Sequence, residues 1–380
     1  MNTNLSELFS PYKVKNRVIP NRLVAQAMEV NSASMGGAVN DIVVERYTDL
    51  ARGGWGIVFL EATSVTEKHL ARRNGLVLNQ NNLDGFKRLV EAFKKENDSI
   101  LFIAQLTHSG RQSGSFSKKV KAYVDDQEEI PVLSEKELDL IQEQFLTAID
   151  LAKQAGFDGV DVKACHGYLG GELLRPLNNR SDKYGGSVEN RAGFHSRIIE
   201  TVSSEASDFL VGTRVSLFEG IRGGCGTASE NEIIEDFGDM IKIINCFVEA
   251  GADYLNISSG IPSTTPLLTR PMKNGSFYRL SHFRYTKQIK DAFPDTLVIG
   301  STYTTGEESC LEFAAENLSK GYTDFVGFGR QNLADPLFPE KGLNNQESIN
   351  YCTLCGQCSK LLKNDENVYC KTHFPAKPAI

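Results

Sequence analysis

The sequence lacks long apolar runs and basic clusters. None of its 380 residues lies in a stretch approaching about 18 consecutive apolar residues, the length of a membrane-spanning helix. The first residues also lack the short apolar core of a secretory signal. A net charge of -7, with no run of Lys and Arg, argues against nucleic acid or an anionic membrane as partner. We therefore expect a cytoplasmic protein that acts on small molecules.

Cysteine is scarce and unevenly placed. The chain has eight cysteines, and disulfides are not expected in a reducing compartment. Four follow the spacing C-x2-C-x2-C-x11-C: Cys352, Cys355, Cys358 and Cys370. Thiolates at such spacing ligate a [4Fe-4S] cluster or zinc, and we favour the cluster. They lie in a predicted extension over 344–380, outside a main domain over 1–343.

The main domain has a regular alternation of strand-like and helix-like segments. Eight continuous apolar runs begin at Arg22, Gly56, Ile100, Gly159, Phe209, Tyr254, Thr296 and Asp324. Continuous runs are typical of parallel strands buried on both faces. Eight such units predict an α/β fold, a TIM (β/α)8 barrel. A doubly wound sheet is disfavoured because no G-x-G-x-x-G follows the first strand.

Polar residues and glycines follow these predicted strands, where the active site of such a barrel lies. Strand four is followed by Lys163, His166 and Tyr168. The ends of the other strands carry Gln105, Arg214, Gly300, Ser301, Gly329 and Arg330. Glycines next to an arginine after strands seven and eight favour a phosphate site, because backbone N–H groups can approach the anion.

Six motifs, in order, resemble the Old Yellow Enzyme group of flavin-dependent oxidoreductases. They read "LFSPYKVKNRVIPNRLVAQAM", "EATSV", "QLTHSGRQ", "HGYL", "NNRSDKYGGSVENR" and "GFGRQNLADP". The resemblance implies noncovalent FMN at the barrel mouth, with NAD(P)H as reductant. The cysteine spacing is similar to the cluster motif that follows the barrel in trimethylamine dehydrogenase and 2,4-dienoyl-CoA reductase.

The resemblance also implies roles for single residues. Ala27, Met28 and Ala62 would line the flavin, and Gln105 would bind its pyrimidine edge. Arg214 would lie near N1 and O2, where negative charge develops on reduction. The phosphate would be held by Gly300, Ser301, Gly329 and Arg330. His166 and Lys163 would polarise the carbonyl of the acceptor, and Tyr168 would donate the proton.

Two positions depart from the family pattern. Lys163 stands where familiar relatives have His or Asn, and it could bind a carboxylate or a carbonyl, or reach the flavin edge. Glu29 stands where some relatives have a cysteine. It could approach the flavin ring or point to solvent.

The favoured function is an ene-reductase, an FMN-dependent enzyme that passes hydride from NAD(P)H to an activated C=C bond. One alternative is an amine or alcohol dehydrogenase whose electrons leave through an iron–sulfur cluster to a separate redox protein. Another is a non-catalytic flavin or electron-carrier barrel. A metal-dependent barrel hydrolase is a weaker possibility, since only His108 and Glu61 approach a ligand pattern.

Overall fold

Eight parallel strands form a closed barrel in the computed structural model, which describes residues 5–126, 129–205, 208–272, 275–305 and 309–375. The barrel strands are β3 (Leu23–Ala25), β4 (Ile57–Ser64), β5 (Leu101–Thr107), β6 (Gly159–Val162), β7 (Leu210–Ser216), β8 (Tyr254–Ser258), β9 (Leu297–Gly300) and β10 (Phe325–Phe328). Pairing runs in chain order, and β10 closes the ring against β3. Each strand overlaps one predicted apolar run, which confirms the TIM-barrel prediction.

A short hairpin precedes the barrel and was not predicted. Its strands β1 (Tyr12–Val14) and β2 (Arg17–Ile19) pair antiparallel. Val14 and Ile19 join one apolar cluster with the barrel interior, including Phe59 and Tyr254. The hairpin therefore covers the N-terminal end of the barrel. Three-residue strands are too short for an apolar pattern to reveal.

Helices follow each barrel strand, and the larger ones cover the barrel on the outside, whereas the last helix lies in the tail. They are α1 (Asp41–Arg52), α2 (Leu83–Glu96), α3 (Glu135–Ala155), α4 (Leu169–Leu173), α5 (Val188–Ser203), α6 (Gly238–Glu249), α7 (Pro266–Thr269), α8 (Ser276–Ala292), α9 (Ser309–Ser319), α10 (Arg330–Ala334), α11 (Phe338–Asn344) and α12 (Gln357–Lys363). Apolar side chains of the larger helices bury against the outer face of the sheet. Each fully buried side chain contributes about 1.5 to 3 kcal/mol to folding.

The local sequence explains both ends of α3 but does not predict the start of α6. Ser134 caps α3 in a reciprocal arrangement with Glu137, and Gly156 ends it with a left-handed φ of 89°. The periodic pattern from Glu230 predicts a helix there, but α6 begins only at Gly238. The backbone of Glu232 and Asp236 instead bonds to the preceding loop, so tertiary contacts override the local pattern.

The tail packs on the mouth of the barrel. The backbone N–H of Val368 donates to Val30 O at 2.8 Å, and that of Cys352 donates to Gln331 Oε1 at 2.9 Å. Leu361 and Val368 bury against Val30. The division into a main domain over 1–343 and an extension over 344–380 stays a prediction. Within the described ranges, no helix combines the length and the apolar character needed to span a membrane.

Candidate active site

A cavity of about 280 Å³ opens at the C-terminal end of the barrel. Most predicted site residues line it: Ala27, Met28, Ala62, Gln105, Lys163, His166, Arg214, Ser301, Gly329 and Arg330. Its volume is near the lower end of the range for cofactor sites. The structure therefore brings residues from all the predicted strand ends to one cavity.

A tight turn after β6 points its side chains at this cavity. His166 and Gly167 both adopt left-handed backbone angles, with φ of 63° and 74°. Such a φ costs a non-glycine residue about 1 to 2 kcal/mol, so the turn is strained at His166. Below the turn, an added Cβ on Gly170 would lie 2.3 Å from Lys163 O, so only glycine allows this close approach.

Lys163 is almost fully buried and lines the cavity. Its ammonium nitrogen lies 3.5 Å from the centre of the Tyr168 ring, a cation–π contact. Only 5% of the residue is exposed. Burial lowers the pKa of Lys163, and the neighbouring Glu29 carboxylate opposes that shift.

His166 and Arg214 meet at Ser258, the last residue of β8. His166 Nε2 lies 2.8 Å from Ser258 Oγ, and Arg214 Nη2 donates to the same oxygen at 3.4 Å. Burial and the nearby Arg214 and Lys163 charges hold the pKa of His166 well below its usual value, so the ring is neutral at pH 7. The Nε of Arg214 is buried without a hydrogen-bond partner.

Gln105 and Arg214 share a buried carboxylate beneath the cavity. Gln105 Nε2 donates to Asp161 Oδ1 at 3.1 Å, and the backbone N–H of Arg214 donates to the same oxygen at 3.2 Å. Burial raises the pKa of Asp161 to about 7. Asp161 thus holds two of the predicted cofactor-binding residues in place.

Glu29 lies inside the site and is paired there. Arg72 Nη2 and Nε donate to Glu29 Oε2 at 2.9 and 3.2 Å, and Tyr168 OH donates to Glu29 Oε1 at 2.7 Å. Burial alone would raise the pKa of Glu29, but Arg72, Lys163 and the Tyr168 hydroxyl hold it below its usual value. The solvent-pointing alternative for Glu29 is therefore wrong.

The opposite end of the cavity carries hydroxyl groups and arginines. Ser301, Thr302 and Thr304 line it together with Gly329 and Arg330. Thr302 has a left-handed φ of 69°, a strained backbone of the kind found at ligand sites. Arg270 also lines this cavity. Burial lowers the pKa of Arg270, and the nearby positive charge of Arg330 lowers it further.

Two predicted residues do not line the cavity. Gly300 ends β9, where an added Cβ would lie 3.1 Å from the Tyr303 hydroxyl, and the adjacent Ser301 reaches the cavity instead. Tyr168 is buried, and its hydroxyl donates to Glu29, which lines the cavity. Their predicted roles stay predictions.

The four tail cysteines share a second, small cavity. It measures about 20 Å³ and is lined by Cys352, Cys355, Cys358 and Cys370, together with Arg330. All four are free thiols. Across the described ranges, no group of three or more His, Cys, Asp or Glu side chains is arranged to hold a metal ion. The predicted cluster or zinc site is therefore not confirmed.

The tail also forms the outer wall of the main cavity. Residues 357–368, which we call the roof, contribute Cys358, Ser359, Leu362, Lys363 and Val368 to its lining. Arg270 Nη1 donates to Ser359 Oγ at 2.7 Å and joins the roof to the loop after β8. Cys358 lines both cavities, so the cysteine site and the barrel site are direct neighbours.

Sequence reasoning missed Arg72 and Arg270. Both lie in loops and follow no motif, and their partners, Glu29 and Ser359, are 43 and 89 residues away in the chain. The only available signal was the isolated pair of arginines in "HLARRNG".

The sequence pattern of the NADH:flavin oxidoreductase / NADH oxidase family matches residues 7–348. The chain belongs to this family. Membership confirms the predicted Old Yellow Enzyme relationship and the flavin-dependent, NAD(P)H-linked oxidoreductase class, with FMN as cofactor.

Individual relatives agree with this assignment. The chain is 30% identical over 370 residues to an NADH oxidase of Thermoanaerobacter brockii, covering 93% of this chain and 53% of the relative. It is 28% identical over 340 residues to an NADPH dehydrogenase of Clostridium acetobutylicum. This match covers 87% of this chain and 93% of the relative. A solved complex of 2-naphthoyl-CoA reductase with 2-naphthoyl-CoA shares the fold, with a TM-score of 0.83 and 23% identity over 96% of this chain and 56% of that one. The chain thus spans about half the length of two of these three proteins.

Proposed function

We propose that the protein is an ene-reductase that transfers hydride from NAD(P)H, through FMN, to the activated C=C bond of a small carbonyl compound. The observation that carries this proposal is the convergence of Gln105, Lys163, His166 and Arg214 on one cavity. Membership of the flavin oxidoreductase family supports it. The family match gives no support to the dehydrogenase and electron-carrier alternatives.

The residues of the cavity fit FMN. Arg214 has a buried Nε without a partner, which suits an acceptor such as the N1 and O2 edge of a flavin. The arginines and hydroxyl groups at the other end, with Gly329, suit a phosphate. We assign the flavin ring to Ala27, Met28, Ala62 and Gln105, and the phosphate to Ser301, Gly329 and Arg330, all of which line the cavity. The predicted role of Gly300 stays a prediction, because its backbone N–H donates to Thr323 Oγ1. When bound, FMN supplies hydride from N5.

The protein groups complete the addition to the C=C bond. Lys163 and His166 bind the acceptor oxygen and withdraw electron density from the β-carbon, which receives hydride. Tyr168 is held by Glu29 and gives its proton to the α-carbon. The high pKa of Tyr168, which burial and Glu29 raise well above its usual value, keeps that proton in place until negative charge develops on the substrate.

Anaerobic purification followed by an absorption spectrum tests this function. We expect a flavin spectrum that NADH or NADPH bleaches and that an enone such as 2-cyclohexenone restores, with the saturated ketone as product. A folded protein that binds no flavin when reconstituted with FMN would overturn the proposal. A flavin that is bleached but transfers hydride to no alkene would exclude the ene-reductase reaction.

We further propose that the tail cysteines hold a [4Fe-4S] cluster. Support comes from the C-x2-C-x2-C-x11-C spacing and from the small cavity that all four cysteines line beside Arg330. Iron and sulfide analysis should give about four of each per chain. The Cys370→Ala variant should lose both, whereas Cys246→Ala, whose thiol lies outside the tail, should keep them. Wild-type protein without iron after anaerobic purification would exclude the cluster. A separate redox protein as partner stays a prediction.

A further inference from the structure

The hydroxyl of Ser258 joins two sides of the cavity. It lies 2.8 Å from His166 Nε2 and 3.4 Å from Arg214 Nη2, and only 2% of the residue is exposed. His166 belongs to the turn after β6, and we assign Arg214 to the flavin edge. Within the described ranges, this hydroxyl has no third hydrogen-bond partner. Its single proton therefore has two neighbours, and only one of them can accept it.

The bond between Arg214 and Ser258 has a fixed direction. A guanidinium group only donates, so Ser258 Oγ is the acceptor in that bond. The hydroxyl could then either donate its proton to His166 Nε2 or accept from that nitrogen as well. If it accepted from both neighbours, its own proton would be buried without an acceptor, which is the costly arrangement. The favourable chain of bonds therefore runs from Arg214 through Ser258 to His166.

This chain of bonds decides which ring nitrogen of His166 has the proton. Burial and the nearby Arg214 and Lys163 charges hold the pKa of His166 well below its usual value, so the neutral ring has a single N–H. A nitrogen that accepts from Ser258 has no proton, which places the proton on Nδ1. Nδ1 has no partner within the described ranges, yet it is not one of the buried atoms that lack one. It is therefore open to the cavity that His166 lines.

We propose that Ser258 is a positioning residue that sets the tautomer of His166, so that an Nδ1–H donor faces the acceptor oxygen in the cavity. The use of this donor in alkene reduction rests on the proposed function, whereas the tautomer itself does not. One buried serine then orients a group at the flavin edge and a group at the acceptor, which is how supporting residues hold a reactive geometry.

His282 provides an internal reference with the opposite tautomer. Its Nε2 lies 2.7 Å from Leu268 O and 2.9 Å from Ser259 Oγ. A carbonyl oxygen only accepts, so Nε2 of His282 has the proton. Burial lowers the pKa of His282 to about 4, so this ring is neutral as well. Two adjacent serines therefore contact two neutral histidines, and a carbonyl fixes the tautomer of His282 independently of its serine.

Heteronuclear NMR of FMN-loaded protein with isotope-labelled histidine tests the tautomer directly, because couplings to the ring carbon-bound protons distinguish a protonated nitrogen from a bare one. At pH 7 we expect Nδ1–H for His166 and Nε2–H for His282. Ser258→Ala should lose the preference for Nδ1–H at His166, whereas Ser258→Thr, which keeps a hydroxyl, should retain it. The inference is wrong if wild-type His166 has its proton on Nε2, or if Ser258→Ala leaves the Nδ1–H tautomer unchanged.

Ser259→Ala is the matched control. It removes the neighbouring hydroxyl, which contacts His282 and does not line the cavity. Both tautomers should stay as in wild type, because Leu268 O still holds the proton of His282 on Nε2. A loss of the Nδ1–H tautomer of His166 in Ser259→Ala equal to that in Ser258→Ala would indicate a general disturbance after β8 and would overturn the inference.

Kinetics give a second readout. Stopped-flow reoxidation of the reduced flavin by 2-cyclohexenone should slow on the order of 10-fold in Ser258→Ala, less than the about 10²- to 10³-fold that deletion of an oxyanion donor costs. It should be unchanged in Ser259→Ala. An unchanged rate in Ser258→Ala would overturn the link from tautomer to reaction. If the wild type reduces no alkene, the proposed function fails, and the NMR measurement still decides the tautomer.

Discussion

The cavity has two walls of different construction. The inner wall consists of strand ends, and its residues are held by buried polar bonds, such as Gln105 to Asp161 and Tyr168 to Glu29. The roof consists of one short helix and the segment after it. It is held by polar bonds nearer the surface, such as Arg270 to Ser359 and Arg73 to Asp365, and by the packing of Leu361 and Val368 against Val30.

The inner wall and the roof therefore have different tasks. Groups that must be placed accurately against a reacting atom lie on rigid strands whose neighbours fix them from both sides. The roof lines the outer side of the cavity and places Cys358 beside it, tasks that tolerate a looser attachment. Substitutions in the inner wall should therefore affect chemistry, and substitutions in the roof should affect access.

The largest effect should come from Tyr168→Phe. This variant keeps the ring over Lys163 but removes the proton that the hydroxyl supplies. The rate of alkene reduction should fall by about 10²- to 10⁴-fold, the contribution of a general acid. Stopped-flow measurement of flavin reoxidation by the alkene checks it. A fall of equal size in the rate of flavin reduction by NAD(P)H would instead indicate a general disruption of the site.

Arg214→Met should weaken the binding of the flavin itself. Arg214 offers an unpaired buried Nε toward the cavity, and a hydrogen bond to a charged donor contributes about 1.5 to 3 kcal/mol. The Kd for FMN should rise on the order of 30-fold, and the reduction potential should fall because a fixed cation is lost. Fluorescence titration with FMN and a redox titration measure the two effects.

Arg270→Met is the matched control for Arg214→Met, since Arg270 lines the same cavity from the loop after β8. It should weaken FMN binding without lowering the reduction potential as far, because we assign it to the phosphate end. An equal fall in potential for both variants would contradict the placement of Arg214 at the flavin edge.

A pH effect should distinguish Glu61, a buried residue within β4, from the residues of the inner wall. Burial raises the pKa of Glu61 to about 7, above its value of about 4.5 in an unfolded chain. Its contribution to stability is therefore complete below pH 4.5 and is lost as pH rises through 7. Glu61→Gln cannot ionise, so its advantage in free energy of unfolding over wild type should grow by about 3 kcal/mol from pH 4.5 to 7.5. Urea titrations at the two pH values measure this change.

The two walls also differ in how far the sequence could predict them. Polar residues of the inner wall lie near the C-terminal end of a strand or directly after it, so an apolar run and its next few residues locate Gln105, Lys163 and Ser301. The roof depends on contacts between distant segments, such as Val368 with Val30. No local pattern encodes these contacts. The tail cysteines were visible in the sequence, but their position beside the barrel cavity was not.

The pairing of Glu29 shows that contacts between distant segments are also hidden from the sequence within the inner wall. The sequence placed Glu29 just after the first barrel strand, but it left open whether the side chain approaches the flavin ring or points to solvent. Arg72 decides that choice, and it comes from a loop 43 residues later. Local patterns therefore gave the positions of the residues, and only the fold gave their partners and charge states.

The smallest effect should come from loosening the roof. Arg73 Nε donates to Asp365 Oδ2 at 2.8 Å, and more than half of the Arg73 side chain is exposed. Arg73→Met should lower the free energy of unfolding by less than about 1 kcal/mol, because exposed ion pairs contribute little. Hydrogen exchange of residues 357–363 should nevertheless become faster, whereas exchange in β6 should not. Faster exchange in both segments would show that the roof and the inner wall are one cooperative unit, contrary to the separation argued above.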